Sequence, residues 1–161
     1  MNAKELLKHF KNAPWQNEQD IASFFLALDF QVDPRTVTQL LDVLLNKRLA
    51  SDPGAHGMRI RVFAKIAAEV DDKRLFTHYI RALKDGDSAV RTLAISLLPK
   101  VNNYEDHPKL CVLLKSKDPE LRQTAVRALK NVGGKTVIQA ITKMVGDKDF
   151  FGRGEAIDLV M

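Results

Sequence analysis

The sequence is poor in residues that would cross-link a fold, anchor it in a membrane or react. Its single cysteine, Cys111, excludes an internal disulfide and fits a reducing compartment. Because Cys111 lies in the apolar run LCVLL, we expect a buried hydrophobe rather than a reactive thiol. No apolar run approaches the roughly 18 residues that a membrane-spanning helix needs, and the charged N-terminus has no signal-peptide core. We therefore predict a cytoplasmic protein without membrane segments.

Motifs of enzyme chemistry are also missing. The four histidines, His9, His56, His78 and His107, lie in separate segments without a second ligand at metal-binding spacing. No serine lies in a nucleophile elbow, and the stretch VGGKT at residues 132–136 lacks the glycine spacing of a phosphate-binding loop. The sequence predicts neither an enzyme nor a bound metal or cofactor.

The composition is that of a globular protein with an excess of positive charge. Hydrophobic residues make up 45% and charged residues 28% of the 161 residues, which excludes a disordered chain. The net charge of +5 leaves room for an acidic partner such as nucleic acid. From residue 71 onward, however, 16 Lys and Arg are mixed with 12 Asp and Glu. A dedicated nucleic-acid surface usually has a denser basic stripe with interleaved aromatics.

A repeat of about 31 residues organises most of the chain. Its arginines and the alanines three residues later recur in register: Arg61 and Ala64, Arg91 and Ala94, Arg122 and Ala125, Arg153 and Ala156. A second apolar run precedes each of these segments, and the apolar residues of both runs follow helical spacing. Each repeat therefore predicts a helix A, a tight turn and a helix B.

The boundaries of helix B follow from the residues at its ends. Asp118 is a good N-cap, because its carboxylate can accept backbone N–H groups of the first turn, and Pro119 suits the first helical position. Asp87 and Asp149 are predicted to cap their helices in the same way. The glycine pair at 133–134 can adopt the left-handed conformation that ends a helix.

The pattern Asp-Pro-x-Leu-Arg-x-x-Ala-x-x-Ala-Leu resembles the short HEAT-like repeats of phycobilisome lyases and many bacterial proteins. The resemblance covers about residues 33–161, with departures at Gly57, Phe150 and Gly152. It implies an all-α fold, a right-handed α-solenoid of about four HEAT-like helix-turn-helix repeats behind an N-terminal helical cap at residues 1–31. The expected repeats are 32–70, 71–102, 103–133 and 134–161. We expect the last repeat to be truncated and its uncapped C-terminal end to be open to self-association.

Two sets of residues are candidates for function. HEAT-like repeats imply a structural ladder of aspartates and arginines between adjacent repeats, which here would comprise Asp87, Arg91, Asp118, Arg122, Asp149 and Arg153. The outward positions of the B helices are the candidate binding residues of the concave face: Lys65, Thr92, Ser96, Lys100, Gln123, Arg127, Lys130 and Asn131.

Elimination favours a non-catalytic protein-binding scaffold or adaptor that uses this concave surface, with another protein as its partner. Two alternatives stay open. One is nucleic-acid binding through the basic B-helix residues. The other is a bilin-lyase-like role in chromophore attachment, which only the family resemblance implies.

The capping role of Asp118 can be tested by stability. We expect Asp118→Ala to lower the free energy of unfolding by about 1 kcal/mol, because the helix loses the acceptor for its first-turn N–H groups. Equilibrium unfolding in urea measures this loss. An unchanged unfolding midpoint would contradict the assignment of Asp118 as an N-cap.

Overall fold

The computed structural model describes residues 8, 34–47, 51, 53–146 and 152–161. The predicted N-terminal cap at residues 1–31 lies outside the described residues apart from Lys8, and Asp149 also lies outside them. The chain divides into two compact units, Met1–Asp72 and Lys73–Met161. Within the described ranges there are helices and no strand, and no helix is long and apolar enough to cross a membrane.

The first unit contains two described helices, α1 (Pro34–Leu44) and α2 (His56–Glu69), which pack on each other. The apolar residues of α1 recur at helical spacing and are buried: Val37, Leu40, Leu41 and Leu44. Arg59 of α2 is buried with them and donates from Nε to the carbonyl oxygen of Leu44 at 2.9 Å. This bond supplies a donor to one of the last carbonyls of α1, which have no partner within the helix.

The second unit contains six α-helices among its described residues. They are α3 (Phe76–Ala82), α4 (Ser88–Leu97), α5 (His107–Cys111), α6 (Pro119–Val132), α7 (Lys135–Val145) and α8 (Arg153–Val160). Short 3₁₀ segments extend two of them: Lys73–Leu75 leads into α3, and Tyr104–Asp106 and Val112–Lys115 flank α5. Helix A of the third predicted repeat, residues 103–133, is thus the short α-helix α5 between two 3₁₀ segments.

These six helices form two layers. In the first layer α5 lies between α3 and α7, and in the second layer α6 lies between α4 and α8. Within each helix pair the first-layer helix or its 3₁₀ extension packs on the second-layer helix that follows it. Stacked helix pairs of this kind define an α-solenoid, so the prediction of an all-α solenoid is confirmed.

The predicted boundaries of α4 and α6 are confirmed, whereas the last helix B, predicted to begin after Asp149, begins at Arg153 instead, with Gly152 as its N-cap. Asp87 Oδ1 accepts from the backbone N–H of Ala89, and Asp118 Oδ1 accepts from that of Glu120, both at 2.9 Å. Helix α6 ends at Val132 with Gly133 as its C-cap, and both Gly133 and Gly134 have positive φ, at 60° and 90°. With ψ near 180° these are conformations that only glycine adopts readily.

Small residues allow the two layers to approach closely. The repeated alanines Ala94, Ala125 and Ala156 are fully buried. Gly152, at the start of α8, extends this pattern, because a Cβ added there would collide with the backbone carbonyl oxygen of Leu114. The preceding repeat has Leu121 at the equivalent position. The departure at Gly152 therefore reflects a closer approach of α8 to the turn before α6.

This close approach predicts opposite effects for two neighbouring glycines. Gly152→Ala should lower the free energy of unfolding by about 1–3 kcal/mol, the usual cost of overpacking against backbone that cannot move aside. Gly154→Ala in α8 is the matched control, because its Cβ would meet no atom within 4 Å, and we expect it to raise stability by about 0.5 kcal/mol. Urea denaturation measures both variants. Equal behaviour of the two would contradict the close approach.

Candidate functional site

The first recurring arginine of the second unit, Arg91, joins a turn to the next repeat. Its Nη1 donates to the backbone carbonyls of Asp85 at 2.8 Å and Gly86 at 3.1 Å, in the turn that precedes α4. Its Nη2 donates to Oε1 of Glu120 at 2.6 Å, in the first turn of α6. One guanidinium thus fixes its own turn and reaches the following second-layer helix.

Arg122 repeats this arrangement one unit later. Its Nη1 donates to the carbonyls of Ser116 at 2.9 Å and Lys117 at 3.2 Å, and its Nε donates to Oε1 of Glu155 at 2.9 Å. The side chains of this pair are only 16% and 23% exposed. The hydrogen bond from Arg122 is the main reason that the pKa of Glu155 lies below its ordinary value. The Glu155 carboxylate is therefore ionised at neutral pH.

The carboxylates of these joints differ from those expected in the Asp/Arg ladder. Asp87 and Asp118 direct an oxygen to the N–H groups of their own helices, whereas Arg91 and Arg122 turn back toward the preceding turn and pair with glutamates. Asp149, the third predicted aspartate, lies outside the described residues, and Arg153 is half-buried at the start of α8.

The 31-residue period does not predict the two glutamates, because they do not occupy equivalent repeat positions. Glu120 lies two residues after Asp118, and Glu155 lies six residues after Asp149. Both nevertheless belong to the first turn of a second-layer helix, where a negative charge is favoured by the helix dipole. An acidic residue in the first turn of the helix B that follows each arginine is the signal that would have identified these two glutamates.

The predicted binding residues of the second unit lie on the second layer. Thr92 and Ser96 belong to α4, and Lys100 lies in the turn after it; the others belong to α6, and all are exposed: Gln123, Arg127, Lys130 and Asn131. Packing places α6 beside α4. The structure therefore brings these seven residues to two neighbouring helices, whereas Lys65 lies in the other unit.

Three of the eight predicted residues already have structural partners. Asn131 donates from Nδ2 to the carbonyl of Ile95 at 3.3 Å, which ties α6 to α4. The Ser96 hydroxyl donates to the carbonyl of Leu93 at 2.7 Å, and Lys65 Nζ pairs with Glu69 at 3.0 Å. The remaining five make no side-chain hydrogen bond or ion pair in the part of the chain that the structure describes: Thr92, Lys100, Gln123, Arg127 and Lys130. We call these five the open surface.

An open groove of about 310 Å³ lies between the turns that precede α4 and α6. Its polar lining is already used in the joints, since Arg91 is held by two carbonyls and Glu120, and Asp118 caps α6. The groove therefore belongs to the joint between repeats and supplies no separate set of reactive groups.

His107 is a fully buried titratable group that connects three repeats from the start of α5. Its Nε2 lies 2.6 Å from Oδ1 of Asn102, which only accepts, so Nε2 carries the hydrogen. Its Nδ1 then accepts from the Thr136 hydroxyl of α7, also at 2.6 Å, and its ring contacts Phe76 of α3 at 5.7 Å between centroids. His107 is therefore a neutral structural joint without access to a substrate.

The thiol of Cys111 is also enclosed. Burial raises the pKa of the Cys111 thiol to about 11, so the thiol is protonated at neutral pH. Among the described residues, no group of three or more His, Cys, Asp or Glu is arranged to hold a metal ion. The expectation that Cys111 is a buried hydrophobe is thus confirmed.

Comparison with protein families gives the two-layer architecture a name. A family model of HEAT repeats matches residues 76–160, which run from the first residue of α3 to the last residue of α8. The chain belongs to the HEAT-repeat family. Among curated proteins, none matches it significantly. HEAT repeats are commonly protein-interaction scaffolds and are generally non-enzymatic.

The buried neutral state of His107 predicts a pH dependence of stability. Burial lowers the pKa of His107 below its ordinary value, against a smaller opposing effect of the Asp106 charge. Its stabilising contribution is therefore complete above the unfolded pKa of about 6.5 and is lost as the pH falls toward the folded pKa. We expect the free energy of unfolding to fall as the pH is lowered from neutral through about 6.5, with a slope of up to about 1.4 kcal/mol per pH unit.

Denaturant unfolding across that pH range measures the slope. His107→Gln should flatten it, whatever the variant does to absolute stability, because the titrating group is gone. His56→Gln, at an exposed position of α2, is the matched control and should keep the slope. An unchanged slope in His107→Gln would contradict the neutral buried imidazole.

Proposed function

We propose that this HEAT-repeat protein is a non-catalytic scaffold that binds another protein on the open surface of α4 and α6, in the cytoplasm. The observation that carries the proposal is that some polar residues form structural hydrogen bonds whereas others are exposed and form none. Arg91 and Arg122 form joints with first-turn glutamates, and Asp87 and Asp118 cap helices. The five residues of the open surface are exposed and have no such use within the described chain.

A rigid support favours this use of the surface. The second-layer helices are held to each other by the Arg91–Glu120 and Arg122–Glu155 pairs and by the Asn131 bond to Ile95. A surface on helices that are fixed in this way loses little conformational entropy when a partner binds. The buried core below it, which includes Ala94, Ala125 and Leu129, keeps the outward side chains at constant spacing.

Nucleic-acid binding is the second candidate, because three of the five open residues are cationic: Lys100, Arg127 and Lys130. Chromophore attachment rests on the resemblance to the repeats of phycobilisome lyases and has no separate support from a residue of this chain. Self-association is a further candidate for the end formed by α8, where Ile157 and Val160 are each 36% exposed.

Site-specific cross-linking tests the proposal. A photo-cross-linking amino acid at position 123, in the full chain within cells that make it, should capture a protein that binds the purified chain directly. The same group at position 143, an exposed site on α7 in the other layer, is the matched control and should not capture it. Cross-links to nucleic acid at position 123, or equal capture at both positions, would refute the proposal.

The joint arginine supplies a second control. Arg122→Ala should lower the unfolding midpoint, because it removes the hydrogen bonds that one guanidinium makes to two turn carbonyls and a glutamate. Under conditions where this variant is folded, capture at position 123 should persist. Loss of capture with an unchanged unfolding midpoint would reassign Arg122 from joint to binding site.

A further inference from the structure

The charge balance of the second unit is uneven in a way that bears on its partner. Several of its carboxylates are engaged within the fold, since Asp87 and Asp118 cap helices, and Asp106, Glu120 and Glu155 pair with cations. On the open surface the opposite holds, because its three cations form no ion pair in the described chain. The fold thus leaves positive charge in excess on one face of the second layer.

The two cations of α6 that form no ion pair in the described chain, Arg127 and Lys130, lie on one stripe with Gln123. Gln123, Arg127 and Lys130 are four and three residues apart, so they share one face of the helix and span about 10 Å along it. The bond from Asn131 to Ile95 brings the end of α6 beside α4. Lys100, in the turn after α4, adds a third unpaired cation just beyond the end of this neighbouring helix.

The arrangement is unfavourable for α6 on its own. Side chains three or four residues apart meet on a helix. For Arg127 these neighbours within α6 are Gln123, Thr124, Lys130 and Asn131. One of them carries a like charge and none is a carboxylate. Like charges at this spacing weaken a helix slightly. A carboxylate brought by a partner would offset this repulsion with charge-assisted hydrogen bonds.

We propose that the partner presents an acidic, carboxylate-rich peptide segment to the open surface. Its carboxylates pair with Arg127, Lys130 and Lys100, and Arg127 supplies the planar group that holds a carboxylate with two hydrogen bonds. Thr92 and Gln123, at equivalent positions of α4 and α6, offer hydrogen bonds to the peptide backbone. This inference rests on the proposed function and names the chemistry of its partner.

The surroundings of the stripe favour a peptide over a nucleic acid. In α8 the position equivalent to Arg127 is Asp158, which is exposed, and in α4 it is Ser96, so the equivalent positions of neighbouring helices do not form a basic row. Tyr104 is the exposed large aromatic among the described residues, and it lies before α5 in the other layer. A phosphate backbone calls for a longer row of cations, and its bases call for aromatic platforms.

Fluorescence polarisation with defined ligands tests this inference. The ligands are a labelled peptide in which glutamate alternates with alanine, the same peptide with lysine in place of glutamate, and a single-stranded oligonucleotide of equal charge. At low ionic strength the full chain should bind the glutamate peptide, with an affinity that falls as salt is added. The lysine peptide should not bind.

A pair of charge-matched variants localises the site. Arg127→Glu/Lys130→Glu should weaken binding of the glutamate peptide at least about tenfold, which corresponds to about 1.4 kcal/mol. Lys84→Glu/Lys143→Glu changes the net charge by the same amount at exposed positions away from the open surface, and should leave affinity within about twofold of wild type. Thermal unfolding of both double variants checks that each is folded. If Arg127→Glu/Lys130→Glu does not fold, Arg127→Ala/Lys130→Ala replaces it in the binding experiment.

The outcomes separate this inference from the proposed function. Equal weakening by the two double variants, or tighter binding of the oligonucleotide that depends on Arg127 and Lys130, would overturn the acidic peptide. If position 123 captures a protein whose contacting segment is not acidic, the inference fails and the scaffold function stands. If neither capture nor peptide binding occurs, both fail.

Discussion

The second unit depends on one repeated interaction, the insertion of a helix-B guanidinium into the turn that precedes its own helix. Arg91 and Arg122 each donate to two successive backbone carbonyls of that turn. These carbonyls lie outside regular helix and would otherwise need solvent. A second nitrogen of each arginine donates to a glutamate of the next second-layer helix. One side chain therefore fixes the shape of a repeat and its distance to the following one.

The apolar core and the histidine joint work on the other side of the same stack. Fully buried alanines bring the layers together, and Gly152 lets α8 approach the backbone at Leu114. In the first layer, His107 connects α3, α5 and α7 through Phe76, its own helix and Thr136. The stack is thus held by charged bonds at the turns of the second layer and by a neutral bond network at the helix starts of the first.

Much of this could be predicted from the sequence, because the repeat makes each feature visible several times. The period and helical spacing identify the helix pairs, and Asp87, Asp118 and Gly133 mark boundaries by local chemistry that needs no tertiary context.

The partners of the arginines could not be predicted, since Glu120 and Glu155 lie at different repeat positions. Both lie in the first turn of a helix, as its second and third residue respectively, and α8 begins three residues later in its repeat than α6. Exposure of the stripe on α6 likewise follows from helical spacing, but the engagement of Asn131 with Ile95 depends on how closely two helices pack. The structural role of His107 could not be predicted, because the position of a histidine in the sequence does not show whether its side chain is buried or exposed.

The acceptors of Arg91 and Arg122 have a consequence for how such a protein can change over time. Two of the three acceptors of each arginine are main-chain carbonyls, which any residue supplies, so the turns can exchange side chains without losing the joint. A duplicated or transplanted repeat would bring its own arginine and its own carbonyls, and this joint would require of the neighbouring repeat only one first-turn carboxylate. This joint can therefore form again with few specific residues when whole repeats are added or rearranged.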